Sequence, residues 1–196
     1  MYEYIKGTLV NLSPTEVVID NNGIGYKILI SLQTYSKLTQ NSETKVFIHH
    51  HLREDAETLF GFIDKDERYI FLNLISVSGI GPNTARMMLS SMTSEEIRNA
   101  IIAGDINKLK GIKGVGIKTA QRLLVELKDK IGKGSADDFN SILFSSENSG
   151  IKREASTALI LLGFTKGNVE KAIDSVLKDN QSVSLEELIK QALKRL

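Results

Sequence analysis

Apolar positions alternate with polar ones along the first 62 residues and follow a helical spacing after that. The alternation predicts five strands, at 2–10, 15–20, 26–31, 45–51 and 58–62, and a short helical segment at 32–38. Asn21-Asn22-Gly23 predicts the tight turn between the second and third strands. Five strands with a helix between the third and fourth follow the order of an OB barrel, so residues 1–62 are predicted to form an OB-fold domain.

Residues 63–133 carry helix start signals. Asp64 with Glu67 and Thr93 with Glu96 form capping pairs ahead of apolar runs, and further helices are predicted at 106–110 and 118–130. The predicted class is α+β and multidomain, with a central helical domain after the barrel.

The remaining residues divide into a linker and a third domain. Nine of the 17 residues at 134–150 are Ser, Gly or Asn, a composition that predicts a flexible linker. Residues 151–196 predict a small, UBA-like bundle of three helices, at 152–162, 166–178 and 185–196. Ser184 and Glu187 predict a capping box for the last helix, with Val183 and Leu188 as its hydrophobic staple.

Two segments of the central domain, 77–89 and 112–124, are near-copies of each other, 35 residues apart. They share both glycines of a Gly-x-Gly turn, a Thr, an Ala and a final Leu, and each is flanked by predicted helices. Such a turn exposes backbone N–H groups at the positive end of a helix dipole, where anions bind well. Two of these turns predict a clamp for two phosphates of a duplex backbone, and the simpler alternative is a pair of ordinary interhelical turns.

The candidate DNA-binding residues lie in and just after the two turns. They are Gly79, Ile80, Gly81, Asn83, Lys113, Gly114, Val115, Gly116, Lys118, Thr119 and Arg122. Glycine permits positive φ and close approach of a phosphate, and Lys118 and Arg122 are placed to add charge-assisted contacts. Asn83 and Met87 replace these two residues in the first copy, so its contribution is expected to come mainly from the backbone. Backbone contacts of this kind position a duplex without reading its sequence, and they depend on salt.

Charge and composition support this interpretation. The net charge is +1, but residues 63–133 carry 12 Lys and Arg against 8 Asp and Glu, while residues 1–62 carry 5 against 7 and residues 134–196 carry 8 against 9. The basic excess coincides with the repeat, although a charge run can also be a solvated face. The chain has no cysteine, which excludes disulfides, thiolate metal sites and cysteine nucleophiles. With no long apolar run and no signal-peptide pattern, a cytoplasmic protein without a membrane span is expected.

Two further motifs are interpreted as non-functional. Residues 111–119 nearly match a P-loop, but Ile117 separates Gly116 from Lys118, and a helix is predicted where the P-loop needs a strand. In His49-His50-His51 only the first and third share a face of a strand, so a structural role is favoured over a metal site. We therefore predict no catalytic residue, metal or cofactor.

Two other motifs leave alternatives open. Glu54 and Asp55 lie between the fourth and fifth strands, where they form either a solvated turn or a pair of functional carboxylates; no nearby acidic cluster supports a metal site. Leu161-Leu162-Gly163-Phe164 ends a helix with a C-cap glycine, and in so small a bundle some of these apolar groups can remain exposed for a partner.

The order of these parts resembles the RuvA family, the Holliday-junction-binding subunits of the bacterial RuvAB branch-migration complex. The resemblance spans nearly the whole chain and is carried by Arg-Glu-Asp-Ala at 53–56, Leu-Phe-Gly-Phe at 59–62, Gly-Ile-Gly-Pro at 79–82 and Gly-Val-Gly-Ile-Lys-Thr-Ala at 114–120. Many relatives carry lysine at the positions of Asn83 and Ile117, which implies that phosphate binding here relies more on backbone N–H groups, Lys118 and Arg122.

The resemblance implies a non-catalytic subunit that assembles as a homotetramer, singly or as paired tetramers, on open and square four-way junction DNA. It further implies that Glu54 and Asp55 form an acidic pin at the tetramer centre. The C-terminal module would recruit a RuvB-type hexameric ATPase, which carries out the hydrolysis, and a RuvC-type resolvase is a further expected partner. Two other classes remain open from the residues alone: a helix-hairpin-helix repair nuclease or glycosylase, and a protein-interaction scaffold whose hairpins serve only packing.

Overall fold

The computed structural model describes residues 2–131, 147–179 and 183–196. The chain divides into two compact units, Met1–Ala136 and Asp137–Leu196. Most of the predicted linker, 134–146, lies outside the described residues, whereas residues 147–150 belong to a helix. Within the described part, no helix is long and apolar enough to cross a membrane.

The N-terminal strands close into a barrel. They are β1 (Tyr4–Leu12), β2 (Glu16–Asn21), β3 (Ile24–Ile30), β4 (Glu43–Leu52) and β5 (Glu57–Phe62), with helix α1 (Leu32–Ser36) between β3 and β4. The order around the barrel is β1-β2-β3-β5-β4, with β3 and β5 parallel and the other pairs antiparallel. This confirms the predicted five-stranded OB-like barrel.

Local chemistry fixes the first hairpins of the barrel. Asn22 and Gly23 both have positive φ, +52° and +87°, as the predicted tight turn requires. At Gly7 in β1, a Cβ would lie 2.0 Å from the backbone oxygen of Asp20 in β2, so no larger residue fits this close approach. The interior is filled by branched aliphatic side chains that include Val17, Ile19, Ile28 and Val46.

Five helices follow the barrel within residues 63–131: α2 (Lys65–Ile75), α3 (Pro82–Ser91), α4 (Ser94–Ala103), α5 (Ile106–Lys110) and α6 (Ile117–Ile131). Their core continues into the barrel, because Phe60 and Phe62 of β5 pack in the same buried cluster as Phe71 of α2. The helix at Ile106–Lys110 replaces the strand that a P-loop needs. The barrel and the repeat therefore share one packed unit.

Glu67 forms a buried link between α1 and α2. Asp64 caps α2 as predicted, accepting from the Glu67 backbone N–H at 2.8 Å, but the Glu67 side chain does not complete a capping box. It is 1% exposed and accepts hydrogen bonds from the hydroxyls of Ser31 and Thr34, the latter at 2.6 Å. Burial raises the pKa of the Glu67 carboxyl, and the two hydroxyls oppose that shift.

The second unit contains three described helices, α7 (Glu147–Leu161), α8 (Lys166–Asp179) and α9 (Leu185–Leu193). The first begins five residues before the predicted position and the third ends three residues early. Val183 and Leu188 are buried in one apolar cluster, as the staple predicts. Ser184 caps α9, whereas the Glu187 carboxylate accepts from Gln191 at 2.8 Å, so only half of the predicted capping box forms.

Candidate nucleic-acid interface

The two Gly-x-Gly turns have the same backbone conformation. Gly79 and Gly114 have φ of +95° and +92°, a region in which residues with a Cβ are strained. The middle residue of each turn donates its N–H back into the preceding segment: Ile80 to the Val77 oxygen and Val115 to the Ile112 oxygen, both at 3.0 Å. These hydrogen bonds close each turn and so set the direction in which the following helix begins.

Ile80 and Val115, which the sequence predicts as DNA contacts, lie in the core with their amides engaged in the turns. Their side chains are 5% and 4% exposed and belong to the helical core, and their amides are occupied by the turn bonds. Because both side chains are apolar and pack into the helical core, they hold the turns in place against that core. Ile80 and Val115 therefore anchor the two turns, and any contact that they make with DNA stays a prediction.

Free amide donors lie at the start of the helix after each turn. The first intrahelical bonds run from Ala85 N–H to the Gly81 oxygen in α3 and from Ala120 N–H to the Gly116 oxygen in α6, at 3.0 and 2.9 Å. The amides ahead of these bonds have no intrahelical acceptor and point out along the positive end of the dipole. Pro82 contributes no N–H, so the first turn offers one donor fewer than the second.

The second glycine of each turn is not required by the fold. Gly81 has φ −85°, an ordinary value for any residue, and a Cβ at Gly81 or Gly116 would meet nothing within 4 Å. The space that a side chain would enter at both positions, next to the first amides of the helix, is therefore open. This space is what a phosphate would need in order to approach them.

The two hairpins pack against each other reciprocally. A Cβ at Gly79 would lie 3.9 Å from Oγ1 of Thr119, and a Cβ at Gly114 would lie 3.6 Å from Cγ2 of Thr84. Thr84 and Thr119 occupy equivalent positions of the repeat, so each copy places its threonine against the turn of the other. Thr119, predicted as a DNA contact, is thus placed between the hairpins; the threonine shared by both copies was the signal for this contact.

Arg122 also bridges the hairpins. Its Nη1 donates to the backbone oxygen of Ser78 at 3.1 Å, directly before the first turn. Its side chain remains 52% exposed, and its Nε lies 3.9 Å from a carboxylate oxygen of Glu126, one turn further along α6. Lys113 and Lys118 are exposed, and neither forms a salt bridge within the described chain. The second hairpin consequently carries more unpaired positive charge than the first.

Glu54 and Asp55 form the tip of the β4–β5 hairpin. The turn is closed by a bond from Arg53 N–H to the Ala56 oxygen at 2.8 Å, and both carboxylates are exposed. Arg53 directs its Nε to Nε2 of His51 at 3.2 Å instead of pairing with them. The tip therefore presents two uncompensated negative charges to solvent.

The three histidines do not form a metal centre. His49 and His51 share a face of β4, as predicted, with ring centroids 6.1 Å apart, and both contact Phe60. Burial, followed by the neighbouring His51, lowers the pKa of His49, which favours its neutral form. Among the described residues, no group of three or more His, Cys, Asp or Glu is arranged to hold a metal ion.

In the second unit, the end of α7 exposes apolar side chains. Leu161 and Leu162 are 82% and 63% exposed, and Gly163 has φ +100° and ends the helix. Phe164 is half-buried and packs against the bundle core, so it is less available to a partner than the two leucines. Leu161 and Leu162 are the members of the predicted motif that can contact a partner.

These features define a class of multidomain protein in which a closed OB-like barrel carries a tandem helix-hairpin-helix domain, followed by a separate helical unit. Family models match all three parts: RuvA N terminal domain over residues 1–61, SAM-like Helix-hairpin-helix tandem over residues 71–129, and RuvA, C-terminal domain over residues 151–196.

Full-length relatives support the same assignment. The chain is 47% identical over 201 residues to a protein of Bacteroides fragilis, with all of both chains covered. It is 49% identical over 197 residues to one of Cytophaga hutchinsonii, with 99% of each covered, and 46% identical over 196 residues to one of Flavobacterium psychrophilum, with all of both covered. Each of these is named Holliday junction branch migration complex subunit RuvA. The chain belongs to the RuvA family.

Proposed function

We propose that this chain is a non-catalytic subunit that binds four-way junction DNA, holds it open and square, and recruits a RuvB-type ring ATPase for branch migration. The observation that carries the proposal is the pair of turns with free helix-start amides behind Gly81 and Gly116, where the fold itself needs no glycine. Two such anion sites on one packed unit suit the two strands of a duplex arm.

We infer the assembly from family membership. With four copies around a crossover, the exposed tips bearing Glu54 and Asp55 would bring eight carboxylates to the centre, where they repel phosphates and separate strands. The homotetramer, the pairing of two tetramers on one junction, a RuvC-type resolvase as third partner and a cytoplasmic location belong to the same proposal and rest on family membership.

The proposal divides the work between two proteins. This chain would supply DNA geometry, while ATP hydrolysis would belong to the motor. We infer that Leu161 and Leu162 form the motor contact, because two adjacent and highly exposed leucines at the end of α7 form an apolar patch that a partner can cover.

Junction selectivity is the first test. We expect the protein to bind a four-way junction about a hundredfold more tightly than a linear duplex of equal length, since linked sites on several arms act together. Affinity should fall steeply with salt, because each neutralised phosphate contributes about −0.9 to the slope of log K against log salt. Gel shifts at several salt concentrations measure both quantities.

Equal affinity for the two DNAs would reject junction recognition. Strand cleavage or base release on junction or damaged duplex, with divalent metal present, would instead favour a repair nuclease or glycosylase.

Replacing Leu161 and Leu162 by serine should weaken motor binding by at least about a hundredfold, since burying a leucine contributes about 1.5–3 kcal/mol. Junction binding should not change, because these residues lie in the separate unit. Pull-down of the RuvB-type ATPase and its stimulated ATP hydrolysis measure the effect. Val125→Ser, at a residue that is also 82% exposed but lies in α6, is the matched control. Full stimulation by the double variant would assign the motor contact elsewhere.

A further inference from the structure

A cavity lies between the acidic tip and the first helix-hairpin-helix motif. It has a volume of about 210 Å³, and its lining combines Asp55 of the tip, Thr58 and Phe60 of β5, and Asn83 of α3. The barrel and α3 belong to one compact unit, so this arrangement is part of the packed fold. The proposed function uses Asp55 as a surface charge and Asn83 as a candidate DNA contact, but it assigns no ligand to the cavity between them.

The lining has the chemistry of a nucleobase site. The ring of His51 meets the buried ring of Phe60 edge to face at 6.3 Å, so Phe60 closes the bottom of the cavity. The accessible flat groups are the half-buried ring of His51 and the guanidinium of Arg53, whose Nε lies 3.2 Å from Nε2 of His51. Flat aromatic and guanidinium groups are the surfaces on which proteins stack unpaired bases. Asp55 and Asn83 add an acceptor and a mixed donor and acceptor, which suit the edge of a base.

The size restricts the ligand. The cavity volume is about 210 Å³. Pockets for drug-sized ligands begin at about 300 Å³. A single heterocycle fits this cavity, whereas the sugar and phosphates of the nucleotide would have to remain outside it.

We propose that this cavity receives one unpaired nucleobase at the crossover. The inference rests on the proposed function, since it needs a junction whose strands pass the acidic tip. During branch migration each base leaves one partner before it meets the next. A site beside the tip that stacks a lone base stabilises this unpaired state.

The site tolerates any sequence, because every base offers a flat face and the polar groups are few. It is also open to solvent on one side, so a base can leave as easily as it enters. Both properties suit a junction that moves through arbitrary sequence.

The test compares two four-way junctions that differ at one crossover position: a mismatched thymine, which is present but unpaired, or an abasic site. Because pairing is already lost in both, the difference in affinity reports on the base itself. The wild-type protein should bind the mismatched junction about tenfold more tightly. Thr58→Phe, which fills the cavity from a strand position that favours aromatic residues, should bind both equally. Thr58→Ser, which leaves the cavity open, should behave like the wild type.

Two controls make the result decisive. Moving the mismatch or abasic site about ten base pairs into an arm should remove the difference for every variant. Thermal melting and duplex binding verify that Thr58→Phe is folded, and His51→Ala, which removes one wall, is a second variant expected to lose the preference. Equal affinity of the wild type for both junctions, or a preference that Thr58→Phe leaves intact, overturns the site. If the wild type shows no preference for any junction over duplex, the proposed function fails instead.

Discussion

The double variant Gly81→Leu, Gly116→Leu is expected to lose junction affinity by at least about a hundredfold while keeping its fold. Each leucine would occupy the open space in front of the free amides at the start of α3 or α6. A phosphate could then no longer reach those donors, and charge-assisted hydrogen bonds contribute about 1.5–3 kcal/mol each. Losing one per hairpin already corresponds to a hundredfold or more, at about 1.4 kcal/mol per factor of ten.

Stability should change little in this variant. Neither position shows a positive φ or a neighbour within 4 Å of a Cβ, and the loss of glycine at a helix N-cap costs about 1 kcal/mol. Substitution of Gly79 or Gly114 would not separate the two effects, because their positive φ makes any side chain strained. Gly167→Leu, at the start of α8 with equally open surroundings, is the matched control.

Thermal melting and junction titrations by fluorescence anisotropy measure the two effects. The same variant distinguishes DNA binding from the scaffold hypothesis. If the hairpins serve only packing, filling open space at Gly81 and Gly116 should have no consequence at all. A folded double variant with unchanged junction affinity would remove the turns from the interface.

The fold was largely predictable from local signals. Alternation gave the barrel strands, Asn22-Gly23 gave the turn with two positive φ values, and the Thr93–Glu96 capping box forms completely. The side chain of Glu67 is a case in which the local capping pattern does not predict the contacts that form. Its spacing from Asp64 predicts a reciprocal cap. Instead, the carboxylate is buried and accepts hydrogen bonds from Thr34 and Ser31 of the α1 segment, 33 and 36 residues away in sequence. No local pattern contains that partner.

The site was predictable in position but not in detail. The repeat located both turns, yet it could not reveal that Ile80 and Val115 use their amides within the turns, since this depends on backbone geometry. The contacts of Thr119 with Gly79 and of Arg122 with Ser78 arise because the two copies face each other. Sequence spacing places residues along one hairpin, and only the packed pair shows which of them lie between the two.

Neutralising the acidic tip with Glu54→Gln and Asp55→Asn should leave junction affinity unchanged or raise it severalfold, and should alter branch migration by the motor. At about 7 Å in water two unit charges interact by roughly 0.6 kcal/mol, so several carboxylates near crossing phosphates oppose binding measurably. Both side chains are exposed and the turn is closed by backbone atoms, so these isosteric changes should not affect folding. Junction titrations and migration assays with the RuvB-type ATPase measure the two effects.

Two controls, a carboxylate far from the tip and a change in salt concentration, show whether charge repulsion causes the change in junction affinity. Glu43→Gln changes a carboxylate on the same strand, at the far end of β4 and about 30 Å away at 3.3 Å per residue, and should affect neither measurement. Raising salt from about 0.1 M to 1 M shortens the screening length from about 10 to 3 Å, so the gain in affinity should shrink. Because repulsion can only oppose binding, a fall in affinity with migration unaffected would contradict the pin: Glu54 and Asp55 would then be contacts that hold the junction, not charges that part its strands.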